Sequence, residues 1–244
     1  THCGGCNMPC AGVCQGGSCV TCQVANLYLF ADTSGSMGDA DGTGSTKLVA
    51  LRTGINSFLG NAGSANMGVG IGYHPVMSGT GLCTLTMTPC TTNADCTMFL
   101  ETCDLGPSCT QADYQTPAVG IGLLPGNQAA ITNSLASRTA TGGSMPPPGL
   151  RGALTLTKNY IIANPTQKAA VVLLTDGFPN ICNTNNDVPT DLLPIVQEFA
   201  TGTPRITTYV IGIGDGVSPR PTTSQLNQVA AAGGTGSAWL TNSA

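Results

Sequence analysis

Residues 27–37 read "LYLFADTSGSM", and the reading of this stretch decides the fold. Leu27-Tyr28-Leu29-Phe30 is a short apolar run of the kind that forms a buried strand. It runs directly into an aspartate and two serines at alternate positions, Asp32, Ser34 and Ser36. In a chain that is only 8% charged, this is either a polar turn leading into a helix or a set of oxygen-bearing side chains aimed at one point. An extended loop turns every second side chain to the same side, so D-x-S-x-S spacing serves the second purpose.

Working outward, three more apolar runs read as buried strands: residues 69–73 ("VGIGY"), 169–174 ("AAVVLL") and 208–213 ("TYVIGI"). Between them lie segments of helical period, carried by Leu48, Leu51, Ile55, Phe58 and Leu59, then Leu150, Leu154 and Ile161, then Leu192, Val196 and Phe199, and last Leu226, Val229 and Ala230. "AVGIGLLP" at 118–125 and "SAWLTN" at 237–242 add further strands. This alternation predicts an α/β fold, a doubly wound and mostly parallel central sheet with helices on both faces. Ligands of such sheets bind outside the carboxyl ends of the strands. Asp32 follows the first strand and Asp176 follows "VVLLT", so both carboxylates are expected at that one edge.

Composition bounds the partners. The 244 residues carry a net charge of −4, with 33 Gly and 16 Pro and no run of Lys or Arg, so the basic footprint of a nucleic-acid or anionic-membrane binder is missing. No apolar stretch approaches the roughly 20 residues that cross a bilayer, and no membrane insertion is expected. The start of the chain has neither a charged region nor an apolar region of a signal peptide, and it is expected to be a processed, mature chain. Its twelve cysteines point to an oxidising compartment and a secreted or surface-displayed protein, a bacterial exported one fitting best.

The cysteines divide the chain. Cys3, Cys6, Cys10, Cys14, Cys19 and Cys22 crowd into a segment too poor in large apolar residues to fold around a core. The C-x-x-C spacings Cys3/Cys6 and Cys19/Cys22 are those of metal knuckles, but six cysteines overshoot one zinc site, and internal disulfides are the simpler expectation. Cys83, Cys90, Cys96, Cys103 and Cys109 sit in a stretch without sustained helical or strand period, which reads as a stapled loop. Five is odd, so one of them needs Cys182. The expected domains are a disulfide-rich cluster over 1–23 and an α/β domain over 24–244 with a Cys-rich insertion at about 79–116.

Between the two aspartates, "TGGSMPPPG" supplies Ser144 on a Gly- and Pro-rich loop. Asp32, Ser34, Ser36, Ser144 and Asp176 together offer hard oxygens from three loops, a donor set suited to Mg²⁺, with Mn²⁺ or Ca²⁺ as alternatives, and an open coordination position. Over residues 24–244 the chain here resembles the von Willebrand factor A domain with its metal-ion-dependent adhesion site: "DTSGS" matches the first metal loop, "TGGS" the second and "LLTDGFPNIC" the third. "YVIGIGD" with "LNQVAAAGGTG", and "DYQTPAVGIGLLPGN", match bacterial exported members. The resemblance implies that Ser34 and Ser36 are direct ligands and that Asp32 and Asp176 act partly through water. Ser144 stands where the family most often has threonine; the prolines at 146–148 are expected to stiffen its loop.

Against this stand plainer readings. D-x-S-x-S alone could cap the helix that begins near Ser45, and Asp39 and Asp41 read as solvated loop carboxylates because the remaining positions of an EF-hand are absent. His74, before Pro75 at a strand end, is expected to face a loop or solvent, and no motif sets it beside a nucleophile, so no enzyme is expected. The function expected is an extracellular adhesion or recognition module that binds a carboxylate-bearing partner through a divalent cation. The alternative is a structural subunit or tip of an extracellular fibre or coat, assembling as a homo-oligomer.

Overall fold

The computed structural model describes residues 25–144, 147–177, 179–182, 185, 187–214 and 222–241, together with the backbone at 13–15 and 18–20. The backbone of β1 (Val13–Gln15) and β2 (Ser18–Val20) forms an antiparallel hairpin with Cys14 opposite Cys19. The expected pairing of the first six cysteines lies outside the described residues.

The central sheet is built from β3 (Ala25–Asp32), β4 (Gly68–His74), β8 (Val119–Leu123), β9 (Lys168–Thr175), β10 (Thr207–Ile213) and β11 (Trp239–Thr241), in the order β11-β10-β9-β3-β4-β8. Every neighbouring pair is parallel except the edge strand β8, which runs antiparallel to β4. Parallel neighbours need crossovers. These are α1 (Lys47–Leu59), α3 (Pro147–Ala163), α4 (Val188–Thr201) and α5 (Thr223–Ala232).

Side chains of successive strand residues point to opposite faces, and this sorts the core into two layers. Tyr28, Phe30, Val171, Leu173 and Val210 pack with buried residues of α3, α4 and α5, among them Leu154, Val196 and Leu226. Leu29, Ala31, Ile71, Val172 and Leu174 pack on the other face with Leu51 and Ile55 of α1. The doubly wound α/β sheet expected from the alternation is therefore present. One helix was not anticipated: α2 (Gln128–Ala136), whose buried residues Ile131 and Leu135 form a stripe too short to stand out as a period.

The cysteine-rich stretch is more than a stapled loop. It folds as a three-stranded sheet, β6-β5-β7, from β5 (Gly81–Cys83), β6 (Pro89–Cys90) and β7 (Cys103–Asp104). Strands of two or three residues leave no periodicity to read. Disulfides Cys83–Cys96 and Cys90–Cys103 staple it, and Cys109–Cys182 ties its end to the loop after β9. The sulfurs of Cys83, Cys90 and Cys96 come within 4.8 Å of one another, but all three are spent in disulfides and none is a thiolate free to hold a metal.

Candidate metal centre

β3 lies at the topological switch point of the sheet, since the chain moves from it to β4 on one side and returns to it as β9 on the other. This is where open parallel sheets place their ligand crevices. Ala31 is paired with Leu174 and Asp32 with His74, so Asp32 emerges between the carboxyl ends of β4 and β9. Thr175 and Asp176 emerge beside it.

Asp32 is 0% exposed and organises all three loops. Its Oδ1 accepts from the Ser34 backbone N–H at 2.8 Å. Its Oδ2 accepts from the hydroxyls of Thr175 at 2.8 Å and Ser144 at 3.3 Å. The Ser34 and Ser36 hydroxyl oxygens lie 3.2 Å apart, and Ser36 Oγ donates to Asp176 Oδ1 at 2.8 Å. Asp32 with Ser144, and Ser34 with Ser36 and Asp176, thus form two neighbouring oxygen groups, linked through the Ser34 backbone N–H to Asp32. Ser36 and the exposed Gly35 lie toward solvent.

The second loop is seated by backbone bonds, Thr141 N–H to Thr33 O at 2.8 Å and Gly35 N–H to Gly142 O at 2.9 Å. Gly142 has φ of 74°, a left-handed conformation that glycine adopts without steric cost. Asn180 accepts the Ser144 N–H through Oδ1 at 2.8 Å. A Cβ at Gly177 would run into Ser144 Oγ, so glycine is what lets the second and third loops close on each other. Pro147 and Pro148 open α3, where a missing N–H costs nothing. They start the helix rather than stiffen the loop as expected, and Pro146 lies outside the described residues.

The capped-turn alternative fares poorly on geometry. The N-cap of α1 is Thr46, which accepts from Val49 N–H at 3.3 Å, and Ser34 makes no side-chain cap bond to the short 3₁₀ turn Gly35–Gly38 that follows it. The serine hydroxyls are turned to the cluster instead. Asp41, expected to be solvated, is buried, its Oδ1 accepting from Thr43 N–H and Oγ1, each at 2.8 Å, and from Ser45 N–H at 3.2 Å. Those bonds hold its carboxyl below the usual range and shape the turn into α1.

Three residues of the site escaped the sequence reading. Thr175 could have been suspected from its place before Asp176. His74 was expected to face a loop or solvent but is wholly buried because β4 is an interior strand, its ring tilted 41° to that of Phe30 with centroids 4.6 Å apart. Its Nδ1 stands 3.7 Å from Asp32 Oδ1, too far for a hydrogen bond. Burial, the largest influence, pushes its pKa down against the pull of Asp32 and of the Leu174 backbone. Lys47 is the third: its ammonium meets Asp176 Oδ2 at 2.9 Å. Burial first, then the Asp32 charge, push the Asp176 carboxyl up, while Lys47 and Ser36 pull it down.

No protein-family model matches the chain, and none of the curated proteins matches it. Solved structures do. A von Willebrand factor type A protein from Catenulispora acidiphila aligns with TM-score 0.53 at 15% identity, over 91% of this chain and 39% of that one. BatB from Bacteroides thetaiotaomicron aligns with TM-score 0.52 at 12% identity over 91% of each chain. The PilB minor pilin from Streptococcus sanguinis aligns with TM-score 0.50 at 16% identity, over 90% of this chain and 56% of the pilin. This chain therefore spans about two fifths of the Catenulispora protein. The fold is that of the von Willebrand factor A domain, and at these identities the likeness is one of fold.

Proposed function

We propose that this von Willebrand factor A domain is an extracellular recognition module whose cluster of Asp32, Ser34, Ser36, Ser144 and Asp176 holds one divalent cation, Mg²⁺ or Mn²⁺. When bound, the cation supplies an open coordination position that a carboxylate of the partner completes. The chain's own residues supply the rest. Asp32 locks the three loops together, Ser34 and Ser36 aim their hydroxyls at one point, and Asn180 holds the Ser144 loop in place. The disulfides support an oxidising, extracellular setting, and the role is one of binding rather than catalysis.

The observation that carries this reading is the convergence of hydroxyls and carboxylates from three loops, with neither loop serine spent on a helix cap. Two carboxylates and three hydroxyls are a hard-oxygen set, suited to a hard divalent ion and poorly suited to a soft one. Calorimetric titration of Mn²⁺ into the wild type and Asp32→Asn tests it. One ion bound by the wild type and none by the variant is expected. A wild type that takes up no ion overturns the proposal.

A second reading, a structural unit of a fibre or coat, draws on the likeness to a minor pilin and on the tip of the insertion, where Phe99 is 88% and Leu100 82% exposed. Apolar side chains this exposed favour burial against another molecule. Sedimentation of the full chain with and without chelator separates the two readings: assembly that survives chelation favours the structural one.

A further inference from the structure

We propose that Lys47 is a built-in counter-charge of the metal centre, which holds Asp176 in place when no ion is bound and competes with the divalent cation for it. This rests on the metal reading above and adds to it a residue that sets how tightly the ion is held.

Lysine is seldom buried unless paired. Lys47 is the first residue of α1, yet its side chain is only 9% exposed and that of its partner Asp176 is 0% exposed. The ammonium takes Asp176 Oδ2 at 2.9 Å, while Oδ1 of the same carboxylate faces the serine cluster through Ser36 Oγ at 2.8 Å. Asp176 is therefore a bridge with one oxygen on the lysine and the other on the candidate ligands. Among the described residues no other ion pair reaches Asp176. Thr46 caps α1 and the Lys47 backbone N–H donates to Asp39 O at 3.1 Å, so the helix start is anchored independently of the lysine side chain.

Charge counting gives the consequence. Asp32 and Asp176 are two carboxylates that repel each other in a largely water-excluded crevice, both of them buried. Lys47 cancels one of them, which lets the three loops close without an ion. A dication added to two carboxylates would balance them; added beside Lys47 it leaves one positive charge over. The ion and the ammonium therefore repel each other, or the lysine has to leave Asp176. Either way the site binds its ion more weakly than its oxygen donors alone would allow. The excess positive charge of the loaded site also suits it to an anionic partner.

A purely structural ion pair makes a different forecast, because its loss would weaken the fold equally with and without metal. The test uses the full chain as Lys47→Met, which keeps the stem, and Lys47→Gln, which can still donate a hydrogen bond to Asp176 but carries no charge. Mn²⁺ affinity is measured by calorimetry, and melting temperature is measured in chelator and in saturating Mn²⁺. Both variants are expected to bind Mn²⁺ about ten-fold or more tightly than the wild type, equivalent to about 1.4 kcal/mol of repulsion removed. Both should melt lower in chelator, and Mn²⁺ should raise their melting temperature by more than it raises that of the wild type. Folding that occurs only with metal present is the same result in its extreme form.

Affinity that is unchanged or weaker in both variants overturns the proposal, as does failure of both to fold even with Mn²⁺, or an equal loss of stability in chelator and in metal. If neither the wild type nor the variants bind Mn²⁺, the metal reading itself fails. If the wild type binds it and the variants bind it no better, only the role of Lys47 fails.

Discussion

Ser36 donates its hydroxyl to the carboxylate of Asp176 at 2.8 Å, across 140 positions of sequence. That bond joins the first and third loops of the site, and it exists because β3 and β9 are parallel neighbours whose carboxyl ends stop at the same level. A parallel sheet brings distant residues together in this way at no local cost: the crossover helices cover the separation, and the strand register sets the meeting point.

Asp32→Ala is expected to abolish cation binding and also to cost stability. The carboxylate is buried and accepts from Ser34 N–H, Thr175 Oγ1 and Ser144 Oγ. Removing it leaves these donors without their acceptor, at about 1–3 kcal/mol for each one left buried and unpaired. Urea unfolding in chelator reads the stability loss. Asp176→Ala should lose the ion as well, and it strands the Lys47 ammonium.

Ser144→Ala should weaken cation binding less than either aspartate variant, since water can enter where the hydroxyl was. Asn180→Ala should give a loss of similar size without removing any candidate ligand, because Asn180 Oδ1 is what holds the Ser144 N–H at 2.8 Å. Calorimetry of the two variants and of the double variant checks this. If both act through the position of Ser144, the double variant should bind little worse than the worse single one.

Replacing Cys109 and Cys182 together by serine should lower stability by about 2–5 kcal/mol, the usual range for losing a native disulfide. The bridge closes 73 residues of sequence separation, so the unfolded chain gains considerable freedom without it. Cys182 stands two residues after Asn180, and cation affinity should fall alongside stability. Thermal melting with and without Mn²⁺ measures both effects.

Glu101 should make the tip of the insertion acid-sensitive. Its carboxylate accepts from Thr86 N–H and Oγ1, each at 2.6 Å, from Met98 N–H at 3.1 Å and from Leu85 N–H at 3.3 Å. The Thr86 hydroxyl first, and then these backbone groups, hold its pKa below the ordinary value. A depressed carboxyl stabilises the fold above its unfolded pKa, and that support is lost as pH falls through the ordinary glutamate range toward the lower folded value. Pepsin should then nick the exposed Phe99-Leu100 segment more readily in acid. Glu101→Gln, whose amide would set an N–H against the Met98 N–H, should be nicked readily at every pH tested.

Chelation should cost the wild type little more than the ion's own linkage. An ion at 100 times its Kd adds about 2.7 kcal/mol, and in its absence Lys47 keeps Asp176 paired, so the metal-free domain is expected to stay folded. A small rise in melting temperature that grows with the logarithm of the added Mn²⁺ concentration is the expected observation.

The sequence by itself determined the alternation of strands and helices, the placing of Asp32 and Asp176 at one sheet edge, and the parity of the cysteines from 83 to 182. Each of these is a local pattern: a run of β-branched residues, a turn residue after a strand, or an odd count. Only the tertiary structure decided that His74 is buried against Phe30 and Asp32, that Asp41 is an internal clamp, and that the lysine opening α1 reaches into the site. Nothing in "GSTKLV" separates an inward Lys47 from a solvated one. Its direction follows from the packing of α1 on the sheet and from a carboxylate 129 residues away. Strand and helix periods are written into neighbouring residues, whereas the partner of a buried charge is fixed by strand order and register, and these depend on the whole chain at once.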